Sequence, residues 1–145
     1  MDVKEKIVIN FPLPKVFKYL SNFNSHKKFT ELYKDSKQIT KGNMQKGTEL
    51  FTKVIFLGKK IESNNEVVSF VPDKEITFES KDGPVPVKVK YELVQKGEKT
   101  EVTTSFSIQP GGFFNLEEMF LRPRFASAIS NSLQNLKKIL EAKAA

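Results

Sequence analysis

At 145 residues, 39% hydrophobic and 28% charged, the chain can bury one sizeable core and is too short to suggest two domains. It has no cysteine, which excludes disulfides and thiolate metal sites, and no apolar run near the roughly 20 residues that span a bilayer. Its formal charge of +7 comes from lysines scattered along the chain, with Arg122 and Arg124 the only arginines. A nucleic-acid binder more often clusters its cations among aromatics, so nucleic acid is not expected as a partner.

No linker or repeat interrupts residues 1–145, which reads as a single domain. Met1-Asp2-Val3-Lys4-Glu5-Lys6 alternates in charge without a hydrophobic signal core, so a cytoplasmic location is the expectation.

In chain order, Val3, Ile7, Ile9 and Phe11 fall on odd positions with mostly charge between the first of them, which predicts a strand. Leu13-Pro14 turns the chain. Pro14 suits a first helical position, and Val16, Phe17 and Leu20 give a short apolar stripe. Asn24 or Ser25 can cap a second short helix carrying Phe29, Leu32 and Tyr33.

Six strands are expected next. A weak one at 36–40 precedes stronger ones at 48–57, 60–71, 75–80, 85–94 and 100–109. Gly42-Asn43, Gly58-Lys59, Pro72-Asp73, Asp82-Gly83-Pro84 and Gly97-Glu98 supply the turns. The last two strands alternate most cleanly: Val85, Val87, Val89, Tyr91 and Leu93 in one, Val102, Thr104, Phe106 and Ile108 in the other. Such period-two patterning means one face buried and one wet, as in an antiparallel sheet.

Residues 113–142 read as one long amphipathic helix. Asn115 and Glu118 have cap spacing, and Leu116, Phe120, Leu121, Phe125, Ala128, Ile129, Leu133, Leu136, Ile139 and Leu140 recur at three- and four-residue steps. Pro123 lies inside it and should leave the Met119 carbonyl without a helical partner, bending or pausing the helix. The order strand, two helices, six strands, long helix implies an α+β fold in which a curved antiparallel sheet of about seven strands grips one helix.

The chain resembles the helix-grip superfamily of START domains, birch-pollen-allergen-like proteins and polyketide cyclase-like proteins (SRPBCC). The resemblance is carried by Ile9-Asn10-Phe11-Pro12-Leu13-Pro14-Lys15-Val16-Phe17-Lys18-Tyr19-Leu20-Ser21-Asn22-Phe23, by Lys46-Gly47-Thr48, by residues 67–72 and by the closing helix at 133–141. Phe29 stands near the place where many members carry a tryptophan.

The resemblance implies a cavity between the sheet's concave face and the long helix, of the roughly 300–1,000 Å³ usual for ligand sites. Thirteen phenylalanines and no tryptophan provide apolar area to line it. The expected sheet walls are Leu50, Thr52, Val54, Val67, Ser69 and Ile76, then Phe78, Val89, Tyr91, Thr104 and Phe106. The helix should add Phe120, Arg124, Phe125, Ala128 and Ile129. Ser63 and Asn65 share the face of Ile61 and Val67 and could place polar groups inside. A bulge would invert such a set, because side chains alternate residue by residue.

Arg124 could anchor an acidic head group through its planar fork, or lie on the surface or pair with Glu117 or Glu118. The only histidine, His26, falls on the short second helix, where a lone histidine is ordinarily a surface residue. No nucleophile elbow, phosphate loop or helical metal-ligand pair appears, so neither metal nor cofactor is expected. Tyr33, Tyr91 or a buried acid could still move a proton.

Three functions compete: a carrier of a small hydrophobic molecule such as a lipid or polyketide, a cyclase or dehydratase, and a protein-interaction module. Phe51, Ile55 and Leu57, on the outward side of their strand, could serve a partner contact or a homodimer.

Overall fold

The computed structural model describes residues 1–144. Its strands are β1 (Asp2–Ile9), β2 (Tyr33–Gln38), β3 (Glu49–Phe56), β4 (Lys59–Val71), β5 (Glu75–Ser80), β6 (Val87–Lys96) and β7 (Lys99–Ile108). Its helices are α1 (Leu13–Leu20), α2 (His26–Phe29, entered through a 3-10 turn at Phe23–Ser25) and α3 (Glu118–Ala144).

All seven strands join one antiparallel sheet in the order β1-β7-β6-β5-β4-β3-β2. The chain runs as a meander from β2 to β7, and β1 is added beside β7, in register from Asp2↔Ser107 to Ile9↔Thr100. Val3, Ile9, Leu50, Thr52, Val67, Phe78, Val89, Tyr91, Val102 and Thr104 all turn to the core side, as their alternation predicted.

The β3–β4 hairpin closes on Phe56↔Lys59, so its two-residue loop is Leu57-Gly58 rather than Gly58-Lys59. Leu57 and Gly58 have φ of 50° and 75°, the left-handed pair that matches strand twist in a tight hairpin.

β4 departs from simple alternation. Val67 pairs with Phe78, but the next partners are Ser69↔Thr77 and Phe70↔Ile76, so one residue is bulged out. Beyond the bulge the faces exchange. Phe70 turns inward onto Phe17, with ring centroids 5.3 Å apart, while Ser69 donates a 2.7 Å hydrogen bond to Oε1 of Glu75 outside.

Most strand ends lie within about three residues of expectation, and two helix boundaries differ for local reasons. Tyr33 opens β2 instead of ending a helix, because the Thr30 amide closes α2 on the His26 carbonyl and the Tyr33 amide then turns onto Thr30. α3 starts at Glu118 rather than 113, because Asn115 sits at φ 53°, outside the helical region. The first carbonyl taken into the helix is Glu117's, which accepts from the amides of Phe120 and Leu121. Pro123 does not break α3, which runs through it.

α3 lies against β1 and α2. Leu121, Phe125, Ile129, Leu133, Leu136 and Leu140 form its buried stripe. Each such side chain contributes about 1.5–3 kcal/mol by leaving water. Toward β3 and β4 the gap under the helix is bridged by side chains instead, and the candidate site lies there.

Candidate ligand site between sheet and helix

Three spaces lie in file from the surface inward. The outermost is a groove of about 630 Å³, open to solvent, between the first turns of α3 and the β3–β4 hairpin. Ile55, Leu57, Met119 and Phe120 stand around it with 44–68% of their surface exposed. Behind it is an enclosed space of about 30 Å³ under the concave face. Leu32 and Phe56 line both, and so separate them. Deeper still is a pocket of about 10 Å³ against β6, β7 and the middle of α3. Tyr33 and Phe106 stand between these last two.

The enclosed volume is therefore far below the several hundred Å³ expected from the sequence. The cause is aromatic. Phe56 stacks on Phe125 with centroids 4.1 Å apart, and Phe114 meets both edge-on, at 5.5 and 5.9 Å. Phe113 and Phe114 sit on the turn ahead of α3, not on the helix. Side chains from one strand, one helix and one loop thus fill the mouth.

Polar groups enter the middle space from β3 and β4. The Asn65 amide Nδ2 donates to Oγ1 of Thr52 at 3.1 Å and to the Ser63 carbonyl at 3.2 Å, all three residues buried. The innermost pocket is lined by hydroxyls of a different character. Ser132 is fully engaged: its Oγ donates to the Ala128 carbonyl at 2.7 Å and accepts from the Glu31 amide at 2.8 Å. Thr30 and Thr104 are as buried, and the Thr104 Oγ1 has no hydrogen-bond partner. The Thr30 Oγ1 has only the Tyr91 phenol close by, near enough to oppose part of the burial effect on that phenol. Burial raises the pKa of both Tyr33 and Tyr91, so both phenols stay protonated at neutral pH.

His26 is not on the surface. It is fully buried among Phe23, Phe29 and Tyr91, and its Nε2 donates to the Leu20 carbonyl at 2.8 Å. Nδ1 has no partner. Burial pushes its pKa down to about 4, with the Leu20 bond opposing, so the ring is neutral.

Set against the sequence reading, Thr52, Val54, Phe78, Phe106 and Phe125 line the middle space. Val89, Tyr91, Thr104 and Ile129 line the innermost pocket, which Phe106 also borders. Phe120, Arg124 and Ala128 line the outer groove. Leu50, Val67 and Ile76 are buried core and border none of the three. Ser69 is on the opposite face, carried there by the bulge.

Arg124 is exposed, with Nη1 donating to the Phe120 carbonyl at 3.0 Å, one turn back on its own helix. It forms no ion pair among the described residues.

Sequence reasoning missed Leu32, Thr30, Ser132, Phe56 and Phe114 as lining residues, and named Tyr33 only as a possible proton carrier. Phe56 was readable, since it continues the alternation of Leu50, Thr52 and Val54. Ser132 was too, as a polar residue in the apolar stripe between Ile129 and Leu136. Thr30 and Leu32 lie on an irregular link with no period to betray them.

An antiparallel sheet curled around one long helix, with apolar space between them, defines the helix-grip class. The chain belongs to the polyketide cyclase / dehydrase and lipid transport family, whose model matches residues 1–141. It is similar in structure to TTHA0849 from Thermus thermophilus, at 14% identity over 100% of each chain with a TM-score of 0.83. A START superfamily protein from Mycobacterium smegmatis matches at 10% identity over 97% of each chain, TM-score 0.80. The ZhuI aromatase/cyclase from Streptomyces sp. R1128 matches at 12% identity over 100% of this chain and 96% of that one, TM-score 0.73. At these identities the likeness is one of fold. No curated protein matches the sequence. Among the described residues no helix is long and apolar enough to cross a membrane, and no group of three or more acidic or histidine side chains is placed to hold a metal.

Proposed function

We propose that the protein binds a small, mostly apolar molecule between the concave face and α3, admitting it from the groove beside Pro123. The observation that carries this reading is the file of three spaces that share walls, Leu32 with Phe56 and Tyr33 with Phe106. Side-chain rotation is fast and needs no strand to separate, so about 30 Å³ at rest is compatible with a larger space when a ligand displaces the rings. The family description, which includes lipid transport, supports the same reading.

A cyclase or dehydratase stands second. Such chemistry wants a proton acceptor beside the substrate. The titratable side chains lining the two inner spaces are Tyr33 and Tyr91, both held protonated by burial.

Organic extraction of the purified protein followed by mass spectrometry, with titration of the emptied protein by the neutral dye N-phenyl-1-naphthylamine, tests the proposal. A retained apolar molecule, or saturable dye binding, is the expected result. An empty protein that also ignores the dye would remove the carrier reading and leave a partner-binding role for the exposed Ile55 and Leu57.

A further inference from the structure

The innermost pocket contains an unusual pairing of groups. Thr30 and Thr104 come from unconnected elements, the link after α2 and the middle of β7, and both border the same space. The Thr104 Oγ1 is buried and without a partner, and the Thr30 Oγ1 is buried with only the Tyr91 phenol near it. An unpaired buried hydroxyl costs about 1–3 kcal/mol, and each hydroxyl beside this space can donate to or accept from an incoming group. The space, about 10 Å³, is close to the smallest that takes one oxygen-sized group.

The rest of the lining restricts what that group can be. Besides these two, the polar side chains there are Tyr33, Tyr91 and Ser132. All are hydroxyls. Lys, Arg and charged His are missing from the lining: His26 behind Tyr91 is neutral, and Arg124 is outside on the groove. A buried carboxylate or phosphate would have no counter-charge and would lose several kcal/mol on leaving water.

We infer that Thr30 and Thr104 form a polar subsite that receives one neutral oxygen, a hydroxyl or ketone, at the leading end of an otherwise apolar ligand, and that the site discriminates against anions. The inference rests on the carrier reading above and narrows it to a ligand class. The ligand enters oxygen first, past Phe56 and then between Tyr33 and Phe106, with its apolar body left among the phenylalanines.

Three probes of one shape test it: 2-naphthol, naphthalene and 2-naphthoate, titrated against wild type and against Thr30→Val and Thr104→Val. Valine keeps the shape and removes only the hydroxyl. Wild type should bind 2-naphthol about five- to tenfold more tightly than naphthalene, and 2-naphthoate more weakly than either. Each valine variant should lower 2-naphthol affinity toward that of naphthalene and leave naphthalene itself unchanged. The melting temperature of Thr104→Val should hold or rise, because an unpartnered buried hydroxyl has gone, whereas Thr30→Val also gives up its contact with the Tyr91 phenol. Tight 2-naphthoate binding, or an unchanged preference for 2-naphthol in both variants, overturns the subsite while leaving the carrier reading intact. Failure of all three probes on wild type overturns the carrier reading and the subsite with it.

Discussion

Buried His26, with one nitrogen on the Leu20 carbonyl and the other unpartnered, makes stability depend on pH. Its folded pKa of about 4 lies below the ordinary value of 6.5. Between those values the unfolded chain takes up a proton that the folded one refuses. Stability from this residue is therefore full above about pH 6.5 and falls as pH drops toward 4, by about 3 kcal/mol in total. Urea denaturation midpoints from pH 7 to pH 4 should show this decline. In His26→Gln that part of the slope should be gone; an unchanged slope would mean that His26 does not titrate this way. The sequence showed a histidine on a four-residue helix and nothing of its burial, because a single turn has no period from which an inner face can be read.

β4 shows what an element's pattern can and cannot tell. Ile61, Ser63, Asn65 and Val67 take their inward places from alternation alone. The bulge that follows has no residue-type signature here, because Val67, Val68, Ser69 and Phe70 would serve an unbroken strand as well. Its effect is measurable. Phe70→Ala should destabilise by about 2–4 kcal/mol, since Phe70 packs inward on Phe17. Ser69→Ala should change stability by less than about 1 kcal/mol, losing an outward bond to Glu75. The unbulged register predicts the reverse order, and thermal melts of the two variants decide between them.

α3 was legible through its apolar stripe over most of its length, while its start was not. Only the left-handed backbone at Asn115 moves the beginning to Glu118 and frees Phe113 and Phe114 to plug the mouth instead of extending the helix. The fold thus followed from period and turn chemistry. The site's small volume followed from ring packing, which no periodicity encodes.

For the molecule as a whole, the proposed carrier role makes Phe56 the residue that controls access to the interior. Phe56→Ala should join the groove to the middle space and raise the association rate of N-phenyl-1-naphthylamine several-fold in stopped-flow fluorescence. It should also lower stability by about 3–5 kcal/mol through lost stacking on Phe125 and Phe114. An unchanged rate in a folded variant would place the entrance elsewhere.

Pairing β1 with β7 has a kinetic consequence. Asp2–Ile9 is synthesised before the other strands, yet its strand partner among the described residues, Lys99–Ile108, is made about ninety residues later. Thr100 then ties the end of the first strand by donating to the Phe11 carbonyl at 2.8 Å. Until that late hairpin arrives, Val3, Ile7 and Ile9 have no sheet to join. Loop closure over such a distance makes folding slow, on the order of milliseconds to seconds. A chain stalled during synthesis before Lys99 would present those side chains to chaperones.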